Sequence, residues 1–347
     1  MSALHPLRVE KINRLTPSSV AISFEVPAAL AADFAFKAGQ YLSLEATIDG
    51  VAVRRSYSLS SAPHENRLTV GIKKIEQGVF SSFANDALTE GDTLNVAPPE
   101  GRFVYVPNSI KQHLLLIAAG SGITPILSIL KTALEKSTTT TVQLVYGNKS
   151  PQESMYRDQL IALQEQFSDR LKIQWVYSKS NEPDALFGRI DASIIKYSLN
   201  QTNATPDEVY LCGPEAMINT AQETLVSANL AKENIHFELF TATESKAPTT
   251  TKAEDKISLS IVADDENYTI ESSADKTLLD AALQQKIDVP YSCQGGVCCS
   301  CIAKVTEGSA NMENNQILTD DEIKEGLVLT CQAFPTSPTV TVDYDDV

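Results

Sequence analysis

The chain has 347 residues, 43% hydrophobic and 21% charged, and at about 100 to 200 residues per domain it holds two or three domains, which excludes a single small module. The composition, with 15 Gly and 16 Pro, is that of ordinary globular protein and fits neither a disordered nor a fibrous class. A formal charge of −16 argues against a nucleic-acid partner, which requires a basic stripe to displace counterions.

Residues 1–106 alternate short strand-like runs (VAISFEV, YLSLEA, RSYSLS, RLTVGIKKI, TLNVAPP) with turn residues, the spacing of a small antiparallel β-barrel with little helix signal. From residue 107 to 240 the pattern changes. LLLIAA reads as a buried strand, GSGITP as a turn and ILSILKTALEK as a helix with one apolar stripe. VQLVYG, the helix around MYRDQLIALQEQF, KIQWVYS, VYLCG, a helix from about Pro214 to Ser227 and IHFELF continue the alternation of a doubly wound parallel α/β sheet. Residues 241–255, TATESKAPTTTKAED, contain no large apolar residue and read as a flexible linker spanning about 20 Å. Residues 256–347 then give a hairpin, the helix TLLDAALQQK, a cysteine loop and two further strands, an α+β unit. That unit carries 5 Lys, no Arg and 16 Asp or Glu, a net −11, so it is a separate acidic object. No apolar run reaches the roughly 18 residues of a membrane span, and MSALHPLRVEKI lacks the parts of a signal peptide. A cytoplasmic protein without a membrane partner is expected.

Cys293, Cys298, Cys301 and Cys331 form C-x4-C-x2-C followed by 29 residues and a fourth Cys, the plant-type spacing for a 2Fe-2S cluster. Gly295 and Gly296 offer the positive φ that turns backbone N–H groups toward sulfur. The alternative is structural zinc, which favours paired C-x2-C knuckles that this chain lacks. Cys299 is surplus to the pattern and reads as a packed or partly exposed thiol, and Cys212 as a core thiol. The histidines, at 5, 64, 113 and 236, show no metal-binding spacing. Residues 256–347, with YSCQGG and LTCQA, resemble plant-type ferredoxins, which implies a β-grasp fold and one-electron transfer.

Arg55-Ser56-Tyr57-Ser58 lies on a predicted strand, where Arg55 can pair with a phosphate, Tyr57 offers an aromatic face and Ser58 a hydroxyl. Val70 and Ile72 lie on the strand before the turn Gly78-Val79-Phe80-Ser81, a candidate phosphate-binding segment. Ser81 could instead be a plain N-cap for FANDAL. Gly120, Gly122, Thr124 and Pro125 join a buried strand to a helix whose N-terminus can meet a dinucleotide phosphate, and Cys212-Gly213-Pro214 ends a later strand or is only a strand-to-helix turn. These motifs resemble the ferredoxin-NADP reductase superfamily, which implies that Arg55, Ser56, Tyr57, Ser58, Val70, Ile72, Gly78, Val79, Phe80, Ser81 and Phe240 bind FAD. By the same resemblance Gly120, Gly122, Thr124, Pro125, Cys212, Gly213 and Pro214 bind the nicotinamide nucleotide, with Ser58, Cys212 and Glu238 at the reacting centre. The family often has two glycines where this chain has Gln77-Gly78. Phe240 could instead close the core, and Pro99, Gly101 and Phe103 read as structural. After VQLVYG no acid stands ready for a ribose hydroxyl, so Lys149, Ser150 and Arg157 are candidates for the 2′-phosphate of NADPH, with NADH possible, unless they are simply solvated charges. The complete order resembles reductase components of bacterial multicomponent oxygenases. That implies electron flow from NADPH through FAD and the cluster to a terminal diiron oxygenase or hydroxylase component; the alternative is an electron-carrier module with no NAD(P)H activity of its own.

Overall fold

The computed structural model describes residues 4–108, 112–202, 204–240, 256–264, 266–291 and 293–347, so the expected linker lies outside the described residues. Two compact units result, one spanning Leu4–Phe240 and the other containing the described residues from 256 onward.

The first unit begins with a barrel of six antiparallel strands: β1 (His5–Thr16), β2 (Ser19–Glu25), β3 (Tyr41–Ile48), β4 (Val51–Ser58), β5 (Leu68–Lys73) and β6 (Thr93–Val96), in the order β4-β3-β6-β1-β2-β5. A bridge between Leu59 and Val70 joins the two edges and closes it. Leu7, Ile22, Leu42, Leu44 and Ile72 fill the interior. Strand β2 is buried on both faces because Ala21 turns outward into the core of the adjoining α/β half. Helix α1 (Val79–Asp86) puts Phe80 and Ala84 into the barrel. Its N-cap is Gly78, so Ser81 lies inside the helix and the N-cap reading of Ser81 is corrected.

The α/β half has six parallel strands, β7 (His113–Ala119), β8 (Thr141–Asn148), β9 (Leu171–Tyr177), β10 (Ala185–Phe187), β11 (Glu208–Gly213) and β12 (Ile235–Leu239), in the order β10-β9-β8-β7-β11-β12. The chain winds outward from β7 and returns to β11 on the other side, so the switch point, where such sheets bind ligands, lies at the carboxyl ends of β7 and β11. Four helices accompany the sheet, α2 (Ile123–Lys136), α3 (Arg157–Gln166), α4 (Ala192–Asn200) and α5 (Glu215–Ser227). Sequence periodicity missed the three-residue β10 and also α4, whose start is marked by Asp191 accepting from the N–H groups of Ser193 and Ile194. The single stripe expected on α2 is an underestimate, since every residue from Ile123 to Leu134 is buried between sheet and barrel. Two of its polar groups are satisfied across the seam: Ser128 donates to the Ser61 carbonyl at 2.6 Å and Lys131 pairs with Glu65 at 2.6 Å.

The second unit contains β13 (Lys256–Ala263), β14 (Glu266–Ser273), α6 (Leu278–Gln284), β15 (Ile302–Glu307), β16 (Ala310–Met312), α7 (Asp320–Lys324), β17 (Leu327–Leu329), β18 (Ala333–Pro335) and β19 (Thr339–Asp343). Its main sheet runs β14-β13-β19-β15-β17, with β13 parallel to β19 and the other pairs antiparallel. This is the β-grasp arrangement, and α6 packs Leu278, Leu279 and Ala282 into the core with Leu259, Ile261 and Val340. Among the described residues no helix is long and apolar enough to cross a membrane.

Candidate functional site

The first unit brings the three predicted reacting-centre residues together. Ser58, at the end of β4, donates to Glu238 Oε2 at 3.1 Å across 180 residues of sequence. Glu238 lies directly beside Cys212 in the register of β11 and β12. Glu238 as a residue is only half-buried, but its carboxyl is enclosed by protein, and burial pushes it up to about 8 while the Ser58 hydroxyl pulls the other way. The fully buried Cys212 thiol is pushed up by burial and by the Glu238 carboxyl, which keeps it protonated.

Around this centre the predicted nucleotide residues fall into two groups. Tyr57 packs against Phe80, ring centres 5.5 Å apart. Arg55 is exposed; its Nη1 donates to the Arg54 carbonyl at 2.7 Å, and among the described residues it has no ion pair. Val70 and Ile72 point into the barrel core, leaving only their backbone for a ligand. At the turn before α1 the helix has no side-chain cap, while Ser81 Oγ accepts from Ile75 N and donates to the Gly78 carbonyl, both at 3.2 Å. Gln77, where a glycine was expected from the family, adopts φ 61°. Phe240 is 38% exposed, so it does not close the core.

The second group meets at the switch point. A Cβ on Gly122 would stand 2.2 Å from the Cys212 carbonyl oxygen, so only glycine lets the Gly120–Gly122 turn touch the Cys212-Gly213 turn. Thr124 donates to the Ser121 carbonyl at 3.0 Å, Pro125 lies in the first turn of α2, and Pro214 is the N-cap of α5. At the end of β8, the buried side-chain nitrogen and oxygen of Asn148 make no well-formed hydrogen bond among the described residues; the neighbouring Tyr146 hydroxyl is directed to the Gly120 carbonyl at 3.0 Å. Lys149 and Ser150 follow. Lys179, which sequence reasoning missed, runs beside them, its N–H donating to the Lys149 carbonyl at 2.9 Å. The parallel pairing of β8 with β9 is the signal that would have found it. Arg157 lies over Trp175, 5.9 Å from the ring centre, with Asp158 3.7 Å away, and is therefore held away from a purely solvated state.

In the second unit the Cys293 thiol lies near those of Cys298 and Cys331, and the Cys301 thiol near that of Cys331, so the four predicted ligands are neighbours. Cys298, Cys301 and Cys331 are buried, Cys293 and Cys299 half-buried, and no disulfide joins any of them. The Gly295 N–H points at Cys293 Sγ from 3.4 Å. The expectation of positive φ at both glycines is corrected: Gly296 has φ 74°, but the other left-handed residue is Gln294, at 54°. Two residues that sequence reasoning missed brace the loop. Asn314 donates to the Gly295 carbonyl at 2.7 Å and Gln332 to the Gln294 carbonyl at 3.0 Å.

Family models place an oxidoreductase FAD-binding domain at residues 6–105, an oxidoreductase NAD-binding domain at 116–223 and a 2Fe-2S iron-sulfur cluster binding domain at 261–336. The chain is 37% identical to a subunit of the 1,2-phenylacetyl-CoA epoxidase of Escherichia coli (strain K12), over 99% of each chain. The chain belongs to the oxygenase-reductase family. It is also 33% identical to the ferredoxin reductase component of 3-ketosteroid-9-alpha-monooxygenase from Rhodococcus rhodochrous, over 97% of this chain and 96% of that one. The fold of phthalate dioxygenase reductase matches with a TM-score of 0.64 at 23% identity, covering 98% of both chains. As a member of the oxygenase reductases, the protein is an NAD(P)H-dependent flavin and iron-sulfur oxidoreductase using FAD and a 2Fe-2S cluster.

Proposed function

We propose that this chain is the reductase subunit of a diiron phenylacetyl-CoA epoxidase and draws its electrons from NADPH. The similarity to a 1,2-phenylacetyl-CoA epoxidase component over essentially the whole of both chains carries this reading. The residues present fit the cofactors. An exposed, unpaired Arg55 and the uncapped start of α1 are suited to the phosphates of FAD, with Ser56, Tyr57, Gly78, Val79, Phe80, Ser81 and Phe240 around it. The buried amide of Asn148 and the backbone contact between Gly122 and Cys212 suit a nucleotide laid over the switch point, where Thr124, Pro125, Gly213 and Pro214 complete the cradle. Lys149, Ser150 and Lys179 supply positive charge and a hydroxyl for a 2′-phosphate. Four converging thiols at Cys293, Cys298, Cys301 and Cys331 suit a cluster of iron and sulfide.

Bound at these residues, FAD would supply hydride acceptance and one-electron release, and the cluster one-electron carriage. The chain's own part is positioning and proton control. With the Glu238 carboxyl near 8, the Ser58 Oγ and Glu238 Oε2 pair can hold or release a proton close to neutral pH. The neutral Cys212 thiol beside it fills the space without adding charge.

Deleting the gene in its source organism tests the partner. Lost growth on phenylacetate with accumulation of phenylacetyl-CoA, both reversed by the gene, is expected. Normal growth without accumulation, in a strain with no second reductase, would move the assignment to another oxygenase such as a steroid hydroxylase. NADPH-driven bleaching of the flavin in the purified protein separates the reductase from a carrier module without its own activity.

A further inference from the structure

A cavity of about 550 Å³ opens in the first unit along the seam between barrel and α/β half. Ser58, Cys212, Glu238, the α1 turn and the Gly120–Gly122 turn do not line it, and of the residues expected at the nicotinamide nucleotide only Arg157 does. Its charged lining is Arg14, Arg67, Lys131 and Arg157 against Glu65 and Asp158, a positive excess in a chain of net charge −16. Two of these cations are neutralised locally: Lys131 by Glu65 at 2.6 Å and Arg157 by Asp158 at 3.7 Å. The other two are not. Arg14 donates only to the neutral Asn85, at 3.0 and 2.7 Å, and the exposed Arg67 makes no ion pair among the described residues.

The first turn of α3, through Tyr156–Gln159, also lines the cavity, and that helix starts without a side-chain cap. The helix N-terminus adds partial positive charge on this side of the cavity, offset in part by Asp158 in the same turn. The volume is that of a small-molecule site, but such sites are mostly apolar, whereas six charged side chains line this one. The ligand must therefore be polar and anionic. Guanidinium forks and a helix N-terminus together match the several oxygens of a phosphate better than the two of a carboxylate.

We propose that this cavity binds a small phosphate-bearing anion between Arg14 and Arg67 of the barrel side and the start of α3, bridging the two halves of the unit. The test uses the full-length, flavin-loaded protein saturated with NADP+ and titrated with inorganic pyrophosphate, followed calorimetrically and by the fluorescence of Trp175. That residue is the sole tryptophan and lies under Arg157, which lines the cavity. Saturable binding is expected, weakened about tenfold or more by Arg67→Glu, as loss of a charge-assisted phosphate contact implies, with flavin content and NADPH-driven flavin reduction unchanged. Arg14→Glu should act alike; because Arg14 also holds Asn85, the exposed Arg67 variant decides the matter. Absence of saturable binding, competition with NADP+, or wild-type affinity in Arg67→Glu would each overturn the site. Citrate binding as tightly as pyrophosphate would overturn its assignment to phosphate.

Discussion

The two units assemble their chemistry in opposite ways. In the C-terminal unit three of the four converging cysteines lie within nine residues of chain and the fourth follows β17, so one loop, braced by Asn314 and Gln332, makes most of the site. In the first unit Ser58 and Glu238 meet across 180 residues, and their contact exists only because a closed barrel is packed against a parallel sheet. A site built by local spacing can be altered at one residue without disturbing its unit; a site built by long-range closure is sensitive to any change that separates its two halves.

The largest expected effect tests the independence of the loop. Cys331→Ala should abolish the cluster, seen as loss of its visible absorbance, while NADPH still reduces the flavin at the wild-type rate; loss of both together would show the two sites to be interdependent. Gly122→Ala should strike the long-range site hardest, because the new Cβ would lie 2.2 Å from backbone oxygen, which cannot rotate away. A cost of about 3 kcal/mol, the upper end of ordinary overpacking, is expected in thermal or denaturant unfolding, and an unchanged midpoint would contradict the close approach. Arg55→Ala should weaken FAD retention by roughly 10- to 100-fold, the loss of a charge-assisted phosphate contact; full flavin content after extensive dialysis would remove Arg55 from the site.

A subtler test concerns Glu238. Its folded-state value is raised from 4.5 to about 8, so between those limits the native protein holds a proton that the unfolded chain has lost, and stability falls as pH rises. Glu238→Gln does not titrate. Its stability profile should be flatter across this range and gain on the wild type as pH increases, with unfolding midpoints below pH 4.5 and above pH 8 as the measurement; parallel profiles would refute an enclosed carboxyl. The smallest effect is expected at Gln77, a non-glycine residue at φ 61°. Gln77→Gly should relieve backbone strain and stabilise by about 1 kcal/mol or less, since glycine's added chain entropy offsets part of the gain.

Legibility followed the same division. The cysteine spacing singled out four thiols that the fold places near one another, three of them on one loop where chain geometry keeps them close. The assignment of positive φ to Gly295 failed, since the turn places Gln294 in that conformation and leaves Gly295 to donate to sulfur. Residue type alone does not say which of two adjacent positions turns. Lys179 escaped notice because its relation to Lys149 passes through strand pairing, and α2 looked one-sided because periodicity reports a helix's preferred face without counting the surfaces packed on it.

The sequence by itself determined the order of the three chemical modules, the cysteine pattern, the strand-turn-helix junctions and the acidic character of the C-terminal unit, all properties of short segments whose backbone preferences are local. Only the tertiary structure decided that Ser58, Cys212 and Glu238 share one place, that Gly122 must be glycine, that Phe240 remains partly exposed and that a cationic cavity lies in the seam. These depend on which distant surfaces are brought together when apolar faces are buried, and burial is a collective property of the folded chain that no single segment encodes.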